Sequence, residues 1–336
     1  MGPRGAFLFV EYYACGAFWT ALIGGTFDDS NNNCWSRGQG TEGSLHERKK
    51  DTSYLSLETT KWQAQLRILT VQPPVAIIRF NNPKSLNSIN GAILHRLAYL
   101  LDEVAERPDI TVTVLTGTGR FFSSGGDVGL EKPGGGKPEE QESAREWLLT
   151  NFCMPWLTAT RSVFRHPKIL VAALNGPVVG APAGLVAFAD FIYAMPHTYL
   201  ATPFTSLALG AEGGSSFSLK ERLGAAKTNE ALLMGKRITC HELVQCGFLN
   251  KVFKANSESD NDTFMKQVLS EIDEWLGPHL DPAALLLTKR QLRAEDYERQ
   301  DAVVVKEVMG ALNAFLTGRP QAESKKFMTG QKRHKL

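Results

Sequence analysis

The sequence predicts an α/β fold that ends in a C-terminal helical region. Two observations carry this. Between about residues 63 and 200, short apolar or β-branched runs alternate with stretches of helical periodicity, the pattern of strands laid into a sheet between helices. After Ser215 the helical period dominates, through the Leu-rich segments 283–292 and 303–316.

The elements follow in order. Runs 66–71 and 75–80 flank Pro73-Pro74 and predict a hairpin, and Asn81-Asn82-Pro83 predicts a turn. Residues 90–106 place Ile93, Leu97, Leu100, Leu101 and Val104 on one helical face, stopped by Pro108. TVTVLT at 111–116 is a buried strand, 132–138 a Gly/Pro loop, and 139–164 a long helical region bounded by His166-Pro167. ILVAAL at 169–174 and residues 191–194 are further strands. The expected organisation is an extension over 1–60, a core over 61–255, a helical region over 256–318 and a tail over 319–336, with no internal repeat.

The extension differs in texture. Residues 6–27 are apolar and aromatic, nearly long enough to span a bilayer, but contain Glu11 and lack a clear cleavage site; 28–51 has no hydrophobic period. A membrane anchor, a secretory signal and a dispensable extension outside the fold are the three readings, and the third is adopted. The five cysteines (Cys15, Cys34, Cys153, Cys240, Cys246) form no C-x-x-C pair, so reduced thiols in a reducing compartment are expected, with no metal.

Composition narrows the function. The 336 residues are 43% hydrophobic and 21% charged, as in a soluble globular chain. The 37 Lys+Arg against 35 Asp+Glu leave a net charge of +2, which argues against nucleic acid as a partner. Neither G-x-G-x-x-G nor G-x-x-x-x-G-K-[ST] nor G-x-S-x-G occurs in the glycine-rich segments. His95, His166, His197, His241 and His279 have no partner at a readable spacing and are expected to be structural.

Three segments place Gly-rich or turn-forming residues directly after a buried strand: 121–127 (FFSSGGD), 175–184 (NGPVVGAPAG) and 210–214 (GAEGG). The first two suit backbone anion sites, since a strand opening into a helix leaves N–H groups aimed at one spot; tight turns alone would also explain the glycines. Pro182 has no N–H, so the useful donor in the second is Ala181. Glu212 lies among apolar residues with no base before Lys220. A carboxyl so placed has a raised pKa and suits a general base, although a solvent-facing loop Glu remains open. Asp127 is a rival acid that also suits a helix cap, and Asp190 suits a structural role.

Taken together, NNPKSLNSI at 81–89, RFFSSGGD at 120–127 and NGPVVGA at 175–181 resemble the crotonase, or enoyl-CoA hydratase/isomerase, superfamily over about residues 63–318. The resemblance implies a spiral of ββα units assembled as a homotrimer or homohexamer, binding an acyl-CoA thioester. It implies an oxyanion hole at the N–H groups of Gly126 and Ala181. Substrate and CoA contacts are implied at Lys84, Ser85, Leu86, Asn87, Ser124, Gly125, Asp127 and Gly180. Hydratases carry glutamates where this chain has Gly184 and Pro203 or Phe204, so two-acid water addition is not expected. TSLALGAEGGSS at 205–216 is similar instead to fungal and peroxisomal Δ3,Δ2-enoyl-CoA isomerases, whose single catalytic glutamate matches Glu212. Proton transfer from C2 to C4 of a 3-enoyl-CoA in fatty-acid β-oxidation follows, without cofactor. Alternatives are a crotonase acting on a specialised-metabolism acyl-CoA and a non-catalytic acyl-CoA binder. His334-Lys335-Leu336 resembles a C-terminal peroxisomal address on an exposed tail, which implies an import receptor as partner.

Deleting residues 1–58 is expected to leave a soluble, cooperatively folded protein. Size-exclusion chromatography and a thermal melt check this, and aggregation would refute it.

Overall fold

The computed structural model describes residues 65–126 and 138–335. The leader, most of the 132–138 loop, Asp127 and Leu336 therefore lie outside the described residues.

The Pro-Pro hairpin is present. β1 (Leu66–Gln72) pairs antiparallel with β2 (Val75–Phe80), which pairs parallel with β3 (Val112–Gly117). Parallel pairing continues to β4 (Ile169–Leu174), β6 (Phe191–Ala194) and β9 (Lys251–Val252), giving a six-stranded sheet in the order β1-β2-β3-β4-β6-β9. A smaller sheet joins β5 (Val178–Val179), β7 (Tyr199–Ala201) and β8 (Ile238–Thr239). Single bridges Ile89–Gly126 and Ser123–Val178 extend the smaller sheet's side. The chain thus gives one strand to the large sheet and one short segment to the small layer. It then usually runs through helix before returning, which is the ββα spiral.

Alternation along the strands explains the two cores. In β4, Leu170, Ala172 and Leu174 enter the larger cluster, while Ile169, Val171 and Ala173 enter the other. Both faces are buried, hence the unbroken apolar reading ILVAAL. The larger cluster packs on α1 (Gly91–Ala105), whose first turn is capped by the Asn90 side chain accepting from the Ile93 N–H at 3.0 Å. The smaller takes Phe264, Met265, Val268 and Ile272 from α7 (Asn261–Leu276).

The long helical region over 139–164 is interrupted. α2 (Pro138–Leu148) passes through a π turn, Leu149–Cys153, into α3 (Met154–Phe164). Pro155 has no N–H, so it cannot donate to the Asn151 carbonyl one turn back, and the ladder slips there. Gly91 packs against that carbonyl: a Cβ on Gly91 would stand 2.5 Å from the Asn151 oxygen.

The remaining helices are α4 (Pro182–Ala187), α5 (Ser215–Leu232), α6 (Cys240–Gln245), α8 (Pro282–Arg293), α9 (Tyr297–Leu316) and α10 (Arg319–Met328). The expected tail is therefore partly helix. Among the described residues no helix is long and apolar enough to cross a membrane.

Asp190 has the structural role expected. Its carboxylate accepts from the Leu170 N–H at 2.8 Å, pairs with Lys289 at 2.7 Å and with Arg293 at 3.1 Å. Lys289 is only 7% exposed, so removing its partner strands a buried cation. Asp190→Ala is expected to cost about 3–5 kcal/mol of stability, read by urea unfolding.

Candidate active site

The three glycine-rich segments converge on one cavity of about 1100 Å³. Ser124, Gly125, Gly126, Gly180, Ala181 and Glu212 all line it. Its walls are strongly apolar and aromatic, with Phe152, Trp156, Phe204, Leu207, Leu209 and Phe315.

The first segment is held by its neighbours' backbones. The Ile89 N–H donates to the Gly125 carbonyl at 2.9 Å and the Ser124 N–H to the Leu86 carbonyl at 2.9 Å. On the other side the Val179 N–H donates to the Ser123 carbonyl at 3.0 Å. Gly125 has φ of +101°, and a Cβ there would also press on the Val179 carbonyl at 3.0 Å, so glycine is required twice over. At Gly126 a Cβ would meet nothing within 4 Å among the described residues.

In the second segment Gly180 has φ of +71° and its N–H donates to the Ala201 carbonyl. This turns the chain so that Ala181 caps α4, with Pro182 in the first turn as expected. Among the described residues the N–H groups of Gly126 and Ala181 have no hydrogen-bond acceptor.

Glu212 is not on a solvent-facing loop. The residue is half-buried because the cavity reaches part of it, but its Oε1 is out of contact with water and has no hydrogen-bond partner among the described residues. Burial first, and then the nearby Glu307 carboxylate, push its carboxyl up to about 8. The same carboxyl contributes to raising the Cys153 thiol to about 11, after burial itself. Behind Glu212 the chain turns at Gly213 (φ +68°) and Gly214 (φ +76°) into α5. A Cβ on Gly213 would stand 2.5 Å from the Ala181 carbonyl oxygen, so acid and amide segment are in direct contact.

Gly184 is closed to any side chain. A Cβ there would lie 2.5 Å from the Gly213 oxygen and 2.8 Å from the Ser215 nitrogen. Pro203 and Phe204 line the cavity without bringing an acid.

The other sequence-predicted residues fall elsewhere. Lys84 and Ser85 are exposed in the short turn Pro83–Ser85, and Leu86 is half-buried with φ of +50°. None of the three lines the cavity. Asn87 is buried and its side chain is fully engaged: its amide donates to the Thr118 and Phe121 carbonyls, and its oxygen accepts from the Asn82 N–H. It braces the loop from within and offers no free group of its own side chain to a ligand.

Two features were absent from the sequence reading. Glu307 of α9 is buried beside the Glu212 turn. The C-terminal segment is not a free exposed tail either. Phe327 and His334 line the cavity, with their rings stacked at 4.0 Å. The His334 Nδ1 is 2.9 Å from the Ser206 hydroxyl, and Lys332 bonds the Ser206 carbonyl and Glu323. Burial lowers the His334 pKa, with the Lys332 charge adding to it.

His166 is structural, buried at 2.7 Å from the Thr113 hydroxyl and held down to about 3 by burial, then by Lys289 and Lys168. Among the described residues no cluster of His, Cys, Asp and Glu could hold a metal.

The enoyl-CoA hydratase/isomerase family pattern matches residues 70–315. The chain belongs to that family. It is 44% identical over 268 residues to a Delta(3,5)-Delta(2,4)-dienoyl-CoA isomerase of Pyricularia oryzae, covering 78% of this chain and 96% of the relative. It is 30% identical over 268 residues to a 3,2-trans-enoyl-CoA isomerase of Saccharomyces cerevisiae, covering 79% and 95%. The crystal structure of an enoyl-CoA hydratase/isomerase from Pseudoalteromonas atlantica superimposes with a TM-score of 0.67 at 21% identity, covering 81% of this chain and all of that one. The enoyl-CoA hydratase/isomerase fold is thus shared well beyond close sequence similarity.

Proposed function

We propose that the chain is an acyl-CoA isomerase of fatty-acid β-oxidation that shifts a 3-enoyl-CoA double bond to the trans-2 position. The observation that carries the reading is the meeting, in one apolar cavity, of a carboxyl whose Oε1 is buried and unpaired with two amides that have no acceptor among the described residues. Glu212 as carboxylate takes a proton from C2 of the bound thioester. The electron pair moves through C2–C3–C4, and negative charge collects on the thioester oxygen. The N–H groups of Gly126 and Ala181 hold that charge where little water competes; losing one such donor typically costs about 2.7–4 kcal/mol of transition-state stabilisation. Glu212 then returns the proton at C4. Atoms and electrons balance within the substrate, so the step calls for no metal or redox group.

Gly184 supports isomerisation over water addition, because the position that carries an acid in hydratases has no room for one here. The Pyricularia relative favours a second reading, in which a 3,5-dienoyl-CoA becomes the 2,4-dienoyl isomer. That reaction moves the proton to C6, farther than one carboxylate needs to reach for C4.

Assembly as a homotrimer or homohexamer and residence in the peroxisome belong to the same proposal. His334-Lys335-Leu336 is the proposed address; with His334 stacked on Phe327, an import receptor would have to draw the tail off the cavity rim.

The test is a spectrophotometric assay of the full chain with 3-hexenoyl-CoA, a 3,5-dienoyl-CoA and crotonyl-CoA. Isomerisation of the first is the expected result. Turnover of the dienoyl substrate alone selects the second reading, and hydration of crotonyl-CoA or inertness to all three overturns both. Glu212→Gln is expected to lower kcat by at least about 100-fold, with acyl-CoA binding by calorimetry nearly unchanged. The base must be deprotonated to act, so kcat/KM should rise with pH until Glu212 has ionised, at about 8.

A further inference from the structure

Glu307 is an acid where the sequence pattern calls for an apolar side chain. It lies on the face of α9 that buries Val304, Val308, Ala311 and Leu312, and it is 9% exposed. A carboxylate taken out of water there is costly unless it is hydrogen-bonded. Three donors meet it, and all come from the start of α5. The Gly214 N–H donates to Oε2 at 2.7 Å; the Ser216 N–H and hydroxyl donate to Oε1 at 2.8 and 2.5 Å. Burial raises the Glu307 pKa, and the donors on both oxygens work against that by favouring the ionised form.

The partners matter as much as the number. α5 begins at Ser215, and the residue at its cap position, Gly214, has no side chain to cap the helix. Glu307 supplies that cap from another helix, at the end where the helix dipole favours negative charge. Gly214 is two residues beyond Glu212, and the Ser215 N–H closes the turn on the Glu212 carbonyl at 3.2 Å. The clamp therefore acts on the short turn that carries the acid.

We propose that Glu307 is a positioning residue for Glu212, clamping the turn behind it and holding a second carboxylate beside the acid. The inference rests on the reading of Glu212 as the base and deepens it. Like charge beside a carboxylate disfavours its ionisation, so Glu307 should add to the effect of burial on Glu212. The other titratable groups facing the cavity leave that sign unchanged. Cys153, packed at the π turn, is a thiol held protonated by burial. Lys325 of α10 and His334 line the same cavity, and among the described residues neither acid makes an ion pair.

The experiment compares the full chain with Glu307→Gln and Glu307→Asp after selective ¹³C labelling of the Glu carboxyls. Glu212 is assigned by its absence in Glu212→Gln. Two readouts are taken: the carboxyl titration without substrate, and the pH profile of kcat/KM with the isomerised thioester. Glu307→Gln should lower the Glu212 midpoint by about 1 pH unit, move the acid limb of kcat/KM down with it, and reduce kcat about 10- to 100-fold. Glu307→Asp keeps the charge and should leave the midpoint near that of the parent. A structural defect alone would lower kcat without moving the midpoint, and an unmoved midpoint in a folded Glu307→Gln overturns the proposal. If that variant does not fold, the parent decides. The Gly214 and Ser216 amide signals report Glu307 ionising, and a Glu212 carboxyl that ignores this step overturns the proposal. The titration needs no turnover. Inactivity of the parent on every thioester would sink the functional reading while leaving this one to its own result.

Discussion

The contact of bare backbone with bare backbone at Gly213, Ala181 and Gly184 is the constraint on which the site depends. The Gly213 Cα approaches the Ala181 carbonyl so closely that a single added carbon would stand 2.5 Å from its oxygen, and a carbon added to Gly184 would stand equally close to the Gly213 oxygen. Three residues without bulk between them bring the acid-bearing turn against the amide-bearing one. Side chains support the contact from behind, Glu307 on the acid-bearing turn and the Ser218 hydroxyl on the Gly184 carbonyl. The distance between acid and amide is set by main-chain packing, which is stiffer than a rotamer and cannot relax by a χ rotation. The positive φ at Gly180, Gly213 and Gly214 then aims the chain on each side of the contact.

Electrostatics build on that geometry. Glu212 has an apolar cavity in front and an acid behind, and no cation paired with it among the described residues. Glu307, by contrast, is surrounded by donors. Burial raises both carboxyls, but the three hydrogen bonds to Glu307 work against the shift. Two buried acids a short distance apart thus have different surroundings, and it is the differing supply of N–H groups that separates their chemistry.

Much of this was legible in the sequence because it was written in local patterns. Strands such as ILVAAL, the helical face over 90–106 and the Pro182 helix start depend on residues within a few positions of one another. The 121–126, 175–181 and 210–214 segments were readable as one cavity only through their combined resemblance to a family, since nothing local says that three distant turns meet. The break in the 139–164 helix had a local cause in Pro155, but a proline near a helix start is also a favoured residue, so its position alone was ambiguous. Glu307 left a fainter signal: an acid in phase with Val304, Val308 and Ala311, and a Gly-Gly helix start with no capping side chain. Each has ordinary explanations separately, and only the fold joins them. Asn87 illustrates the reverse, a polar side chain in a segment expected to bind CoA whose hydrogen bonds are spent on the protein itself, on the Asn82 N–H and on the Thr118 and Phe121 carbonyls.

The stacked Phe327 and His334 rings, with Lys332 tied to Ser206 and Glu323, make the last turn of the chain part of the cavity wall. A purification tag or fluorescent fusion joined directly behind His334 would begin at that wall. Its bulk would crowd the mouth of the cavity or peel the segment away. A handle for isolating or imaging this protein therefore belongs away from this segment.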